Sequence, residues 1–281
     1  MKQYLLYNSK SNSGKIYFKG VDINNIENTD ILEKIDVLTI HNYKVFIEGL
    51  EKDSEIIICG GDGTLNNFIK RIENFIPTQN VYYYPSGTGN DFYKSLKEKE
   101  EFDLIQINDY LKKLPSVTIN DKAHLFINGV GFGIDGYCCE KGDELREKNV
   151  ENINYTSIAI KGLLFYYKPT NVTITVDGKE YKFKKAWLAP VMYGKYYGGG
   201  MIPCPEQERD GENLSVMVFH GSGRLKTLMI FPSIFKGEHV KHDKYVKVFK
   251  GKEITVTYDE PRTAQVDGET ILNVKSITAR I

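Results

Sequence analysis

The chain has 281 residues, 41% hydrophobic and 26% charged, a composition that fits a folded protein with room for two cores and excludes a disordered one. Its 37 Lys and Arg balance its 37 Asp and Glu. The formal net charge is therefore zero, against the basic balance expected of a general nucleic-acid binder. In chain order, residues 3–7 read as a short strand and 36–40 as a second, followed by a helical run to Leu50. Residues 55–59, Glu-Ile-Ile-Ile-Cys, are a continuous apolar strand of the kind buried on both faces of a parallel sheet. Leu65, Phe68, Ile69 and Ile72 follow at i, i+3, i+4, i+7 spacing and predict a helix. A strand at 81–84 and a helix over 90–97 repeat the alternation. Residues 1–116 are thus expected to form an α/β domain on a parallel sheet, three-layered and Rossmann-like.

After about residue 116 the texture changes. Strands are predicted at 117–119, 124–128, 172–176, 181–183, 186–191, 214–219, 246–249, 253–258 and 271–281. Asp-Gly pairs at 177–178, 210–211 and 267–268 mark turns. Only 153–167 and 225–235 look helical. The expected second domain, 117–270, is β-rich and sandwich-like, with the strand near 271–281 able to pack back on the first domain.

Four cysteines, at 59, 138, 139 and 204, contain no CxxC pair and suggest neither a disulfide framework nor a zinc knuckle. The N-terminus lacks a signal-peptide core, and the most apolar stretch, 157–167, contains Lys161 and falls short of the ~20 residues a bilayer span needs. The expectation is a soluble cytoplasmic protein without a transmembrane span.

The strongest chemical signal is Gly60-Gly61-Asp62-Gly63-Thr64-Leu65-Asn66, between a buried strand and a helix. Glycines let a backbone approach a ligand closely, and a helix start offers N–H groups to an anion such as phosphate. Asp62 would repel a phosphate unless a divalent cation lies between them; otherwise it is a helix cap. Pro85-Ser86-Gly87-Thr88-Gly89-Asn90-Asp91-Phe92 follows the next strand with the same design, adding the Thr88 hydroxyl and the Asp91 carboxylate. Loops at the carboxyl ends of parallel strands share one crevice, so both should face one ligand.

Gly131-Phe132-Gly133-Ile134-Asp135-Gly136 satisfies GxGxxG, but no strand with a terminal acid follows about 20 residues on. Its glycines are expected to permit tight packing where the domains meet, leaving Asp135 as a third carboxylate. Asp267-Gly268-Glu269 reads locally as a hairpin turn with a solvated Glu. His239 and His242 belong to no HExxH motif and are expected at the surface. Residues 196–201, Tyr-Tyr-Gly-Gly-Gly-Met, form an aromatic turn that either lines an apolar cleft or is a bulge.

Taken together, these segments resemble the diacylglycerol kinase catalytic family of bacterial soluble lipid kinases, grouped with NAD kinases, sphingosine kinases and phosphofructokinases. Gly60–Asn66 resembles its GGDGTxN loop. The stretch 85–92 resembles its G-T-x-N-D-F segment, which NAD kinases lack. Residues 128–136, 198–201, 204–211 and 267–269 follow the family in order. The resemblance implies an active site between the two domains and transfer of the ATP γ-phosphoryl group to a lipid hydroxyl with Mg²⁺, diacylglycerol being the expected acceptor. A sphingoid base, another lipid alcohol, NAD, or a non-catalytic nucleotide-binding role are the alternatives.

It further implies nucleotide contacts from Asn8, Thr39, Gly60, Gly61, Asp62, Gly63, Thr64, Asn66, Gly87, Thr88, Asn90 and Asp91. Asp62, Asp91 and Asp135 become candidates for the catalytic Mg²⁺, and Asp62 for catalysis. Asp210, with backbone oxygens around Gln207 and Glu212, becomes a candidate structural Mg²⁺ site. Asp267 and Glu269 rise to candidates for the general base, and the sequence does not separate them. Two departures stand out: Ser9 occupies the Pro position of the family's N-P-x-S-G stretch, and no long helix is visible in 14–36. The expected partner is a lipid at the membrane surface and not a nucleic acid; the oligomeric state, a homodimer included, is left open. With zero net charge, any attraction to an anionic bilayer must be local, and Lys-rich stretches at 179–185, 195–197 and 236–252 are the expected patches.

Overall fold

The computed structural model describes residues 1–11, 15–73, 75–97, 103–150, 153–209 and 211–281. The chain divides into two compact units, Met1–Leu114 and Pro115–Ile281. In the first, strands β1 (Gln3–Tyr7), β4 (Leu32–Asp36), β5 (Glu55–Gly60), β6 (Asn80–Pro85) and β7 (Ile105–Gln106) form one sheet in the order β4-β1-β5-β6-β7. All neighbours are parallel except β6 and β7. β5 is buried along its length, as its apolar run requires. Helix α2 (Asp62–Ile72) follows it at once and buries Leu65, Phe68, Ile69 and Ile72, each worth about 1.5–3 kcal/mol of transfer free energy.

One local expectation changes here, and one segment left open is filled. Residues 37–39 are a 3₁₀ turn and not part of a strand, because the Asp36 carboxylate accepts the Leu38 N–H at 3.1 Å and caps the turn. The connection from β1 to β4 contains a small hairpin, β2 (Tyr17–Phe18) with β3 (Val21–Asp22), and a 3₁₀ turn at Ile23–Asn25. Its Ile16, Phe18 and Ile23 pack with Leu5, Ile57 and Tyr84 into one core. Helix α1 (Tyr43–Glu48) is short, and α3 (Asp91–Lys94) and α4 (Asn108–Leu111) are single turns.

The second unit is built on an antiparallel sheet. Its strands are β8 (Ser116–Ile119), β9 (Lys122–Leu125), β10 (Gly129–Phe132), β11 (Thr170–Val176), β12 (Lys179–Ala186), β13 (Val191–Met192), β14 (Leu214–Phe219), β15 (Val246–Gly251), β16 (Glu253–Val266) and β17 (Glu269–Arg280). One path runs β15-β14-β13-β10-β16-β17-β8-β9, and β11 joins β16 and carries β12. Alternate residues of these strands, among them Val172, Ile174, Val216, Val256 and Ile277, meet in one core. The C-terminal strand β17 pairs with β16, and its Ile277–Arg280 end pairs with β8.

Helix α5 (Ile134–Glu147) stands where no helix was expected. Gly136 and Gly142 obscure its pattern, yet both are packing positions. A Cβ on Gly136 would lie 1.9 Å from the Thr263 carbonyl oxygen, and one on Gly142 would lie 2.5 Å from the Tyr155 hydroxyl. α6 (Tyr155–Lys161) runs into a π-helical turn at Gly162–Tyr166, and α7 (Arg224–Ile230) runs into a 3₁₀ turn at Phe231–Lys236.

Candidate active site

The parallel strands of the first unit end level with one another: Tyr7 is opposite Asp36 and Cys59, Cys59 opposite Tyr84, and Gly60 opposite Pro85. That edge gathers Asn8, the 37–39 turn and both glycine-rich loops. The loops are stitched together. The Ser86 N–H donates to the Gly60 carbonyl at 2.9 Å, and the Tyr83 hydroxyl donates to the same oxygen at 3.0 Å. A Cβ on Gly87 would come within 2.4 Å of the Gly61 Cα, so the two backbones touch.

Asp62 makes the firmest link. Its carboxylate accepts the N–H groups of Asp91 at 2.9 Å and Phe92 at 2.8 Å, capping α3 from another strand's loop. Asn90, in the left-handed region at φ 52°, closes the second loop by accepting from the Gly87 N–H and donating to the Gly87 carbonyl. Asp62 leaves the start of its own helix uncapped: α2 has no side-chain cap at Gly61, which suits an anion at its positive end. Thr64 and Asn66 are buried on α2, and the Asn66 Oδ1 has no hydrogen-bond partner among the described residues. Asn8 folds over the Lys10 N–H, and Thr39 donates to the Asp36 carbonyl.

In the second unit, Asp267 opens the β16–β17 turn with positive φ, followed by Gly268. Its carboxylate accepts three backbone N–H groups, from Ile127 at 2.6 Å, Asn128 at 2.9 Å and Gly129 at 3.0 Å. Burial nevertheless pushes the Asp267 carboxyl up, against those donors and the Arg209 guanidinium. Glu269, two residues on, is exposed at the start of β17.

Asp135 sits beneath this hairpin. It accepts from the Gly136 N–H at 2.9 Å and the Tyr197 hydroxyl at 3.4 Å, with Gln265 as a further partner, and burial pushes its pKa up to about 6. The 131–136 glycines therefore serve packing inside this unit, since a Cβ on Gly131 would collide with Asp135 and Gln265. Tyr197 is buried and bridges to Met201, so the glycine-rich 196–201 stretch is a tight turn that aims its Tyr inward. A cavity of about 330 Å³ nearby is lined by Tyr137, Glu140, Tyr166, Lys168, Arg262 and Asn273 among others.

The structure thus brings Asp62 and Asp91 together and places Asp135, Asp267 and Glu269 in the second unit. Asp210 lies outside the described residues. The Gln207 side chain is buried, donating to the carbonyls of Tyr193, Glu208 and Asn213, while Glu212 is exposed. Among the described residues, no group of three or more His, Cys, Asp or Glu side chains could hold a metal ion. His239 is not a surface residue: its ring is buried with Nε2 2.9 Å from the Pro203 carbonyl, a bond that lets a neutral imidazole leave water. His242 is exposed.

Comparison with known proteins fits this layout. The diacylglycerol kinase catalytic domain model matches residues 2–118, and the model of the YegS C-terminal NAD kinase beta sandwich-like domain matches 128–278. The chain belongs to the diacylglycerol kinase-like lipid kinase family. A diacylglycerol kinase of Mycobacterium tuberculosis is 25% identical over 210 residues, covering 72% of this chain and 66% of that protein. This chain therefore spans just under two thirds of that relative's length. A Staphylococcus aureus protein named "putative lipid kinase" is 26% identical over 251 residues, covering 85% of this chain and 76% of its own. In fold, the chain is similar to the crystal structure of a "putative diacylglycerol kinase" of Bacillus anthracis, with a TM-score of 0.64 at 20% identity, covering 99% of this chain and 91% of that one.

In this member of the lipid kinase family, the sequence left Arg209 and Asn128 unmarked as site residues. Arg209 donates from Nη1 to the Ile127 carbonyl and from Nη2 to the Asn128 Oδ1 at 2.9 Å, with its guanidinium over the Tyr193 ring. It braces the same 127–129 backbone that clasps Asp267. These two hydrogen-bond partners lie more than 80 residues away, so no local pattern announces them.

Proposed function

We propose that the chain transfers the γ-phosphoryl group of ATP, with Mg²⁺, to the free hydroxyl of diacylglycerol, giving phosphatidic acid and ADP. The observation that carries this reading is the clasp of Asp62 on the Asp91 and Phe92 N–H groups, which ties the two glycine-rich loops together. In the transfer, the acceptor oxygen forms a bond to the γ-phosphorus as the bond to the bridging oxygen breaks, and the hydroxyl proton passes to a carboxylate.

Glu269 is the base in this reading, and Asp267 positions it. Asp267 has both oxygens engaged by backbone N–H groups, whereas Glu269 is exposed one turn residue beyond. A base within reach of the hydroxyl contributes about 10²–10⁴-fold. In the first unit, the start of α2 and the Gly87–Asn90 turn hold the phosphates through backbone N–H groups. The donor set fits Mg²⁺: the Asn66 Oδ1 is a buried acceptor with no partner among the described residues, and Mg²⁺ commonly needs only one or two carboxylates beside the nucleotide's phosphates. When bound there, Mg²⁺ would neutralise charge on the β- and γ-phosphate oxygens, with Asp62 and Asp91 as its protein partners.

The test supplies γ-labelled ATP, Mg²⁺ and separate acceptors: diacylglycerol, a sphingoid base, a simple lipid alcohol and NAD. Labelled phosphatidic acid is the expected product. Label in NAD or the sphingoid base, with none in phosphatidic acid, overturns the acceptor; ATP binding with no turnover on any acceptor overturns the kinase reading.

A further inference from the structure

The exposed surface of the second unit holds an apolar patch that the phosphoryl-transfer reading does not use. Phe165 and Tyr166 on the π-helical turn are 68% and 66% exposed, and Leu225 and Met229 on α7 are 72% and 69% exposed. The two segments are pinned together, since Arg224 Nη1 donates to the Leu163 carbonyl at 2.7 Å. α7 already buries Thr227 and Ile230 on its other side. Leu225 and Met229, one helical turn apart, therefore make a second apolar face with nothing of the described chain over it. Large apolar side chains grouped in this way mark an interaction surface, whereas single ones are ordinary.

Within the segments that form the patch the charge is one-sided. From 153 to 176, and again from 213 to 237, the sequence contains no Asp or Glu. The same stretches carry Lys161, Lys168, Lys226 and Lys236, all exposed, beside Arg224. The two segments that form the patch thus set cations beside exposed apolar side chains and carry no acid of their own, Glu140 of α5 being the acid that shares the cavity with Tyr166 and Lys168. Such a face fits an anionic bilayer, with rings and aliphatic chains entering the interface and ammonium groups meeting lipid phosphates. It fits a second copy poorly, because a two-fold contact would set the same cations against each other.

We propose that the face made by residues 160–168 and α7 docks onto an anionic bilayer surface. The inference rests on the lipid-kinase reading only for its choice of a bilayer as occupant. The cations of this face, Lys161, Lys168 and Lys226, lie outside the Lys-rich stretches at 179–185, 195–197 and 236–252. Tyr166 and Lys168 also line the 330 Å³ cavity, so docking sets that cavity beside the lipid.

Vesicle sedimentation with the full chain tests this without any turnover. Wild type should bind equimolar phosphatidylglycerol–phosphatidylcholine vesicles about tenfold or more tightly than phosphatidylcholine alone, and salt should weaken the binding. Leu225→Glu/Met229→Glu should lower it about tenfold or more, and Lys161→Glu/Lys226→Glu should lower it and flatten the salt dependence. Unchanged circular dichroism, and unchanged phosphorylation of a short-chain, water-soluble diacylglycerol, would show that fold and chemistry are intact in both. No binding by wild type, or equal binding by the variants, overturns the docking face. A wild-type dimer that Leu225→Glu/Met229→Glu dissociates assigns the patch to a second copy and also overturns it. The soluble-acceptor assay fails only if the kinase reading fails, so the two outcomes separate.

Discussion

The Asp62 carboxylate accepts the Asp91 backbone N–H at 2.9 Å, across 29 residues of chain. An acid at the start of one helix thereby caps the helix that follows the neighbouring strand. Because those strands are parallel neighbours, Gly60 level with Pro85, the contact holds the two loops in fixed register at the sheet's carboxyl edge. Removing the carboxylate should therefore hurt both fold and chemistry. Asp62→Ala is expected to cost about 1.5–3 kcal/mol in urea unfolding and to reduce turnover sharply. Asp62→Asn, which keeps an acceptor for one of the N–H groups, should recover part of the stability and little of the turnover.

Two glycines should behave oppositely. Gly87→Ala drives a Cβ against the Gly61 Cα, so the loops must part, and a loss of about 1–3 kcal/mol is expected. A Cβ on Gly63 meets nothing within 4 Å, and Gly63→Ala should leave the unfolding midpoint unchanged or slightly raised. If the start of α2 cradles phosphate, that same variant should raise the KM for ATP. An unchanged KM would remove the α2 start from the nucleotide site.

Asp267 and Glu269 should separate cleanly. Asp267→Ala orphans three backbone N–H groups and should destabilise by about 3 kcal/mol, seen as a lower Tm. Glu269→Gln should keep the Tm while kcat falls by about 10²–10⁴. Near-normal kcat in Glu269→Gln would move the base elsewhere.

Asp135 predicts a pH dependence. Its folded pKa of about 6 lies above the ordinary carboxyl value of 3.8, so the folded state binds its proton more tightly than the unfolded one. Stability from this group is therefore full below about pH 4, is lost as pH rises to about 6, and stays lost above, by about 3 kcal/mol. The unfolding free energy of wild type minus that of Asp135→Asn should fall across that window. A flat difference would show that Asp135 ionises freely in the folded protein.

Much of the first unit was legible because its determinants are local. The Glu55–Gly60 run and the i, i+3, i+4, i+7 pattern of α2 state strand and helix within a few residues, and the glycines between them announce a close-approach loop. The strand at 36–40 misread a turn, since a single Asp36 side chain outweighed an apolar pattern. α5 was missed because Gly136 and Gly142, helix-weakening in isolation, are required by Thr263 and Tyr155, which lie outside the helix.

By itself, then, the sequence determined the α/β-then-β order, the two glycine-rich loops and the acidic residues available for chemistry. It could not rank those acids, because a carboxylate's role depends on which donors reach it. Asp267 meets N–H groups about 140 residues away, Asp62 meets a neighbouring strand's loop, and Asp135 is enclosed by Tyr197 and Gln265. Likewise zero net charge is a sum over the chain. Only the packing of α7 against the 162–166 turn gathers its cations and apolar rings onto one face, since side chains distant in sequence become neighbours only when the chain is folded.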